Sequence, residues 1–257
     1  MRVLALDAAT EACSVALLTD QGLTGRWAEV GRGHAQQILG MVEAVLAEGG
    51  VSLSVLDGIA ASVGPGAFTG VRISVSVAQG LAFGAGLPVV PITTLEALAL
   101  QVIDEDTQQA LACLDARMGE VYWGCFVADP ARGVAALGAL TVGPPEQVRF
   151  PGAGRYRGVG RGFAAYPALG RLAGIDPEVS AEGLPDARHM ARLGALRLAA
   201  GERLDPAELQ PQYLRDKVAL TEHERAARDR TAQEHVAQES AAQEGAAQEG
   251  AAPLEPL

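Results

Sequence analysis

The first hundred residues switch repeatedly between two hydrophobic periods, and the order of those switches limits the fold more than any other feature. Residues 3–6 form an apolar run, residues 13–18 form another, and Thr19-Asp20-Gln21-Gly22 supplies turn chemistry before a third extended stretch near residues 23–30. From His34 to Glu48 the period lengthens, with Ile38, Leu39, Met41, Val42, Val45 and Leu46 spaced for a helix that Gly49-Gly50 ends. Residues 58–63 predict a short buried strand, broken by Gly64-Pro65-Gly66. Residues 71–83 read two ways: Val71, Ile73, Val75 and Val77 alternate as in a strand, whereas Val77, Ala78, Leu81 and Ala82 suit a helix. A strand over 88–92 and a helix over 94–103, with Leu95, Leu98, Ala99 and Val102 on one face, complete the series.

The order β-β-β-α-β-α-β-α is that of a ribonuclease-H-like unit, so the chain is expected to be α/β. Asp104-Glu105-Asp106 interrupts the apolar pattern and marks a domain boundary. Beyond it the theme partly repeats, with strands over 110–114 and 121–128, a third near 134–142, a Gly-, Pro- and Arg-rich loop over 144–162 and a helix over 189–200. The expected division is a first domain over 1–104, a second over 105–225 and a low-complexity tail over 226–257. The tail repeats in fives (Val-Ala-Gln-Glu-Ser, Ala-Ala-Gln-Glu-Gly), a period of neither helix nor coiled coil, with no large apolar residue recurring to be buried. It is expected to be disordered, because it cannot offset the entropy of ordering.

Apolar residues make up 49% of the chain, yet no uninterrupted apolar run has the length of a membrane span. Asp7 follows the first apolar residues too soon for a signal peptide, so a cytoplasmic protein is expected. Cys13, Cys113 and Cys125 are scattered and form no C-x-x-C pair, which indicates buried thiols rather than a zinc site or a disulfide framework. The net charge is −11, of which the tail contributes −4. An acidic body is poorly suited to gripping RNA, since neutralising phosphate needs clustered Lys and Arg. Any contact with RNA is therefore expected to run through a partner.

Two stretches carry chemistry. Leu4-Ala5-Leu6-Asp7-Ala8-Ala9-Thr10 is an apolar strand ending in a carboxylate, then a tight turn with a hydroxyl. Actin-like ATPases build a first phosphate loop in this way, but Asp is also an ordinary turn residue. Val63-Gly64-Pro65-Gly66-Ala67-Phe68-Thr69-Gly70-Val71-Arg72 places three glycines within seven residues, as a phosphate-cradling or helix-docking loop requires. It lacks the Gly-Lys-Ser/Thr ending of a P-loop. Asp115 and Arg117 stand two apart on a strand and read as a structural ion pair.

In series, Asp7 to Leu17, His34-Ala35-Gln36-Gln37-Ile38-Leu39, Gly64 to Ile73, Ala78-Gln79-Gly80-Leu81-Ala82, Leu114 to Trp123 and Pro211-Gln212-Tyr213-Leu214-Arg215 resemble the TsaB (YeaZ) family. The resemblance runs in order from residue 1 to about 222. It implies an actin-like ATPase fold of two ribonuclease-H-like domains and a non-catalytic, activating subunit. That subunit belongs to the complex that transfers threonylcarbamoyl to adenosine next to the anticodon of tRNAs. The implied partners are TsaD, met through two helices of the first domain, and the ATPase TsaE, with a homodimer when the chain is alone. It also resolves 71–83 as the second interface helix and puts His34, Ile38, Met41, Val42, Val45, Val71, Arg72, Val75 and Gln79 at the partner interface. Asp7, Thr10, Gly64, Gly66, Thr69 and Gly70 become a remnant nucleotide loop, with no required cofactor and with weak ATP or ADP binding left open.

TsaD holds a metal through two histidines four apart after its fifth strand. In this chain the matching segment is Ile92-Thr93-Thr94-Leu95-Glu96-Ala97-Leu98, where Thr94 and Leu98 replace them. Neither side chain suits a metal, so no metal site is expected. None of the histidines His34, His189, His223 and His235 supplies such a pair, and solvated or capping roles are expected for them. Two enzyme readings compete: a small-molecule kinase using Asp7 and Thr10, and a metallopeptidase, which the missing histidine pair disfavours.

Overall fold

The computed structural model describes residues 1–151, 154–176 and 178–215. Residues 216–257, and with them His223, His235 and the repetitive tail, lie outside the described residues. Met1–Leu214 is one compact unit with two mixed sheets. The first sheet contains β1 (Val3–Asp7), β2 (Ala12–Thr19), β3 (Gly22–Glu29), β4 (Gly58–Ser62) and β5 (Val89–Ile92) in the order β3-β2-β1-β4-β5. β1 to β3 form an antiparallel meander, while β4 pairs parallel with both β1 and β5.

Parallel strands require crossovers, and here the crossovers are helices. α1 (His34–Glu48) follows β3, α2 (Phe68–Ala85) joins β4 to β5, and α3 (Thr94–Ala99) follows β5. Because both faces of the sheet are covered, alternate residues of one strand enter different cores. Leu4 and Leu6 pack with Ile38, Val42 and Val45 of α1 and with Val75, Ala78 and Ala82 of α2. Val3 and Ala5 face the other way, toward α3 and α5 (Ala187–Ala199). Helix spacing settles residues 71–83: Val71, Ser74, Val75, Ala78 and Ala82 form a buried stripe at intervals of three and four. The β-branched alternation of the same stretch is overruled by that stripe.

The second sheet contains β6 (Gln109–Arg117), β7 (Glu120–Asp129), β8 (Gly133–Ala136), β9 (Thr141–Gly143) and β10 (Arg157–Val159). Its order is β10-β6-β7-β8, with β9 also on β7. The antiparallel meander β6-β7-β8 with β10 parallel to β6 repeats the pattern of β1-β2-β3 with β4. Ala110, Ala112 and Leu114 share the core that holds α3 and α5, while Leu111, Cys113, Trp123 and Cys125 form a third cluster on the opposite face. All three cysteines are buried and free. Burial pushes the Cys13 and Cys125 thiols up to about 11 and that of Cys113 well above its ordinary value. No helix among the described residues is long and apolar enough to cross a membrane.

Three expected elements differ. The helix expected over 94–103 stops at Ala99, one turn after a capping box between Thr93 and Glu96 starts it. The single strand expected near 134–142 is two, β8 and β9, separated where Gly138 takes φ +105°, outside the extended region. The stretch read as loop over 144–162 contains β10, too short at three residues for a period to register.

Candidate functional site

The strand-end loop after β1 and the glycine loop before α2 meet face to face. The Ala67 amide donates to the Ala9 carbonyl at 2.7 Å. A Cβ on Gly66 would overlap the Ala9 carbonyl oxygen, and one on Gly70 would overlap that of Ala8. Gly64 takes φ +98° and its carbonyl accepts from the Thr94 amide at 2.9 Å. These glycines therefore let two backbones touch, which is the helix-docking alternative for this loop. Thr69 points elsewhere, lining the groove described below.

Most polar groups named in the first loop are engaged within the protein. The Asp7 carboxylate is fully buried and accepts from the Ala9 amide through Oδ1 at 3.1 Å. Its Oδ2 has no hydrogen-bond partner among the described residues; the nearby Ser62 hydroxyl is engaged with Thr94 Oγ1 at 3.2 Å. Burial pushes the Asp7 pKa up to about 6, against smaller opposing effects of Ser62, the Ala9 amide and His34. Thr10 Oγ1 accepts from the Ala12 amide at 3.2 Å, and the Thr10 carbonyl is 2.8 Å from His34 Nε2. His34 is thus not solvated but buried, tying the start of α1 to this loop. Its half-buried counterpart His189 keeps Nδ1 without a hydrogen-bond partner among the described residues, and burial lowers its pKa. A nucleotide phosphate needs outward amides and an ionised carboxylate. The amides of Ala9, Ala12 and Ala67 are bonded within the protein and do not face outward in this conformation.

Thr94 and Leu98 are both fully buried. Thr94 is bonded to Ser62, and Leu98 lies in the core between the sheets. Across the strand ends, Arg117 in the β6–β7 turn pairs with Asp115 at 2.9 Å and with Glu11 of the β1–β2 turn at 3.2 Å. Arg117 leaves the strand face expected of it, because it sits at a bulge with φ +61°. Arg161 bonds both oxygens of Glu29, at 2.7 and 3.0 Å.

The residues expected at a partner interface divide sharply. Ile38, Val42, Val45, Val71 and Val75 are buried, and all but Val71 belong to the core that α1 and α2 form with the first sheet, so these side chains face inward in the isolated chain. His34 is buried as described, and Met41 is half-buried against the same core. The Gln79 amide donates to the carbonyls of Pro206 and Leu209 at 2.9 and 3.2 Å, inside the protein. Arg72 alone lines an open groove of about 330 Å³, together with Ala35, Phe68, Ile73, Ser76 and Val77.

The outward face of the two helices carries Leu39, which the helical spacing included, and Phe68 and Phe83, which it did not single out. Leu39, Phe68 and Phe83 are 49%, 54% and 61% exposed. Gly40 on α1 and Gly80 and Gly84 on α2 face open space, with nothing within 4 Å of a Cβ built there. A glycine inside a helix costs roughly 1 kcal/mol against alanine, and no packing among the described residues needs these three. Their spacing was the available signal: glycines inside a helical pattern ask for a packing reason.

Fold and site together define an α/β protein with two related mixed sheets, inward-facing strand-end loops and an uncovered helix pair. The family model for TsaD, "tRNA N6-adenosine threonylcarbamoyltransferase", matches residues 28–136. The "tRNA threonylcarbamoyladenosine biosynthesis protein TsaB" of Escherichia coli K12 is 39% identical over 226 residues, covering 85% of this chain and 96% of its own length. Its namesake from Haemophilus influenzae is 36% identical over 230 residues, with 85% and 95% covered. The solved structure "YeaZ from Pseudomonas aeruginosa" superposes with a TM-score of 0.75 at 38% identity, covering 83% of this chain and 99% of that one. The chain belongs to the TsaB (YeaZ) family.

Proposed function

We infer that this chain serves tRNA threonylcarbamoyladenosine biosynthesis, as the TsaB proteins it resembles are named for, and that it does so as a non-catalytic partner of TsaD. The observation that carries the pairing is the uncovered face of α1 and α2, where Gly40, Gly80 and Gly84 leave room for a close helix and Leu39, Phe68 and Phe83 offer apolar surface. The non-catalytic part rests on residue types: the positions that match TsaD's two histidines hold Thr94 and Leu98. A leucine has no donor atom for a metal, and Thr94 is committed to Ser62.

The finer reading has the same support. The repeated meander-plus-parallel-strand pattern supports two ribonuclease-H-like domains in an actin-like arrangement, dividing near the acidic 104–106 segment. The net charge of −11 supports tRNA contact through TsaD, and the family resemblance supports TsaE as the ATPase. The same face would serve a homodimer when TsaD is missing. Asp7, Thr10, Gly64, Gly66 and Gly70 are read as folding residues, with any affinity for ATP or ADP requiring the first loop to open.

The test is co-purification with TsaD of the same cell. Leu39→Asp and Phe83→Asp should abolish pairing while leaving the chain folded, and retained pairing in both would overturn the assignment. A charge at Val42 or Val45 would not serve, because it would be buried in the core.

A further inference from the structure

One end of this face is built as a clamp. The Arg72 guanidinium carbon lies 3.2 Å from the centroid of the Phe68 ring and 5.2 Å from that of Tyr213. The two rings stack on each other with centroids 6.1 Å apart. Arg72 donates once, from Nη1 to the Phe68 carbonyl at 3.3 Å, and has no carboxylate partner among the described residues. A guanidinium carries five N–H donors, so most of its fork is unspent while the rings hold its plane. Among the described residues it is also the one charged side chain lining a mainly apolar groove, whose other polar groups are the hydroxyls of Thr69 and Ser76.

Tyr213 reaches α2 from the far end of the described chain, and that segment is pinned. Gln79 holds the Pro206 and Leu209 carbonyls, and the Gln212 amide donates to the Val63 carbonyl at 2.8 Å. The outward face is therefore made of three pieces: α1, α2 and the 206–213 segment that carries Tyr213.

We propose that Arg72, held over the Phe68 ring with Tyr213 beside it, is the specificity-determining contact of this face and receives an Asp or Glu carboxylate carried by the partner helix that fills the groove. An apolar groove with one fixed cation selects an apolar helix with one acidic side chain at its edge. A carboxylate matches the planar fork in a bidentate way that a lone carbonyl does not. The proposal rests on the pairing reading above.

The test measures Kd of the full chain for TsaD at low and moderate salt, for the natural sequence and for Arg72→Ala, Arg72→Lys, Tyr213→Leu and Gly80→Leu. Arg72→Ala should weaken binding about 10- to 100-fold and remove most of its salt dependence. Arg72→Lys should recover only part, since an ammonium keeps charge but neither the fork nor the stack. Tyr213→Leu should weaken binding roughly 3- to 10-fold by freeing the guanidinium. Gly80→Leu should abolish pairing by filling the space for the helix. Arg72→Ala within twofold of the natural chain, while Gly80→Leu fails to pair, would overturn this proposal and leave the pairing intact. A weakened Arg72→Ala with an unchanged salt slope would equally overturn the carboxylate. Undiminished binding by Gly80→Leu would instead overturn the pairing reading itself.

Discussion

Arg197 on α5 donates to the Glu96 carboxylate at the start of α3 and, through Nη1, to the Pro91 carbonyl at 2.9 Å, with the arginine only 4% exposed. Glu96 also closes the capping box of α3, accepting from the Thr93 amide at 2.8 Å. One carboxylate thus fixes both the helix start that carries Thr94 and the helix that joins the two sheets.

Removing one member of so enclosed a pair leaves a buried charge uncompensated. Arg197→Ala is expected to destabilise the chain by about 3–5 kcal/mol in urea unfolding, much more than an exposed arginine. Glu96→Gln, which keeps the shape of the cap, is expected to cost less.

The glycines of the two loops and those of the open helix face should respond with opposite signs. Gly70→Ala drives a methyl into the Ala8 carbonyl and is expected to cost roughly 2–3 kcal/mol or to prevent folding. Gly80→Ala meets open space and is expected to stabilise the isolated chain by about 0.5–1 kcal/mol while weakening its pairing with TsaD. Thermal unfolding with and without TsaD checks both.

Asp7 gives a pH dependence of definite sign. Its folded pKa of about 6 lies above the ordinary 3.8, so the folded state favours the protonated acid. Stability from this group is complete below pH 3.8 and is lost as the pH rises through 6. The difference is on the order of 3 kcal/mol at about 1.4 kcal/mol per pH unit. Asp7→Asn is expected to flatten this component of the profile between pH 4 and 7 and to raise the melting temperature at pH 8. A variant less stable than the natural chain at pH 8 would point to an ionised Asp7 with a partner.

The Glu11–Arg117 bridge between the two turns is a weaker element. With the Arg117 side chain 75% exposed, Arg117→Ala is expected to change stability by less than about 1 kcal/mol, and less still at high salt.

Much of this was legible in the residues. The strands of the first sheet and the helix from His34 to Glu48 followed from period, because each strand is bounded by turn residues and that helix carries an unbroken stripe, whereas period left α2 ambiguous and the family resemblance resolved it. What periodicity could not give was direction. Ile38, Val42 and Val45 are the strongest apolar stripe on α1, and the strongest stripe goes to the core. The outer face is marked by small residues and single aromatics, which carry little periodic signal. Likewise the glycines of the 64–70 loop signalled a close approach, but only the fold reveals that the approaching group is the backbone of Ala8 and Ala9. β10 escaped notice because three residues cannot display a period.

The central claim is that this chain supports threonylcarbamoyladenosine formation by pairing with TsaD and not by chemistry of its own. The most direct measurement reconstitutes the modification of tRNA from purified TsaD, TsaE, this chain and the threonylcarbamoyl adenylate donor, omitting one protein at a time. The account expects no product from this chain without TsaD, product from the full set, and its loss with Phe83→Asp although that variant folds. Product from this chain alone, or undiminished product when it is left out, would contradict the account.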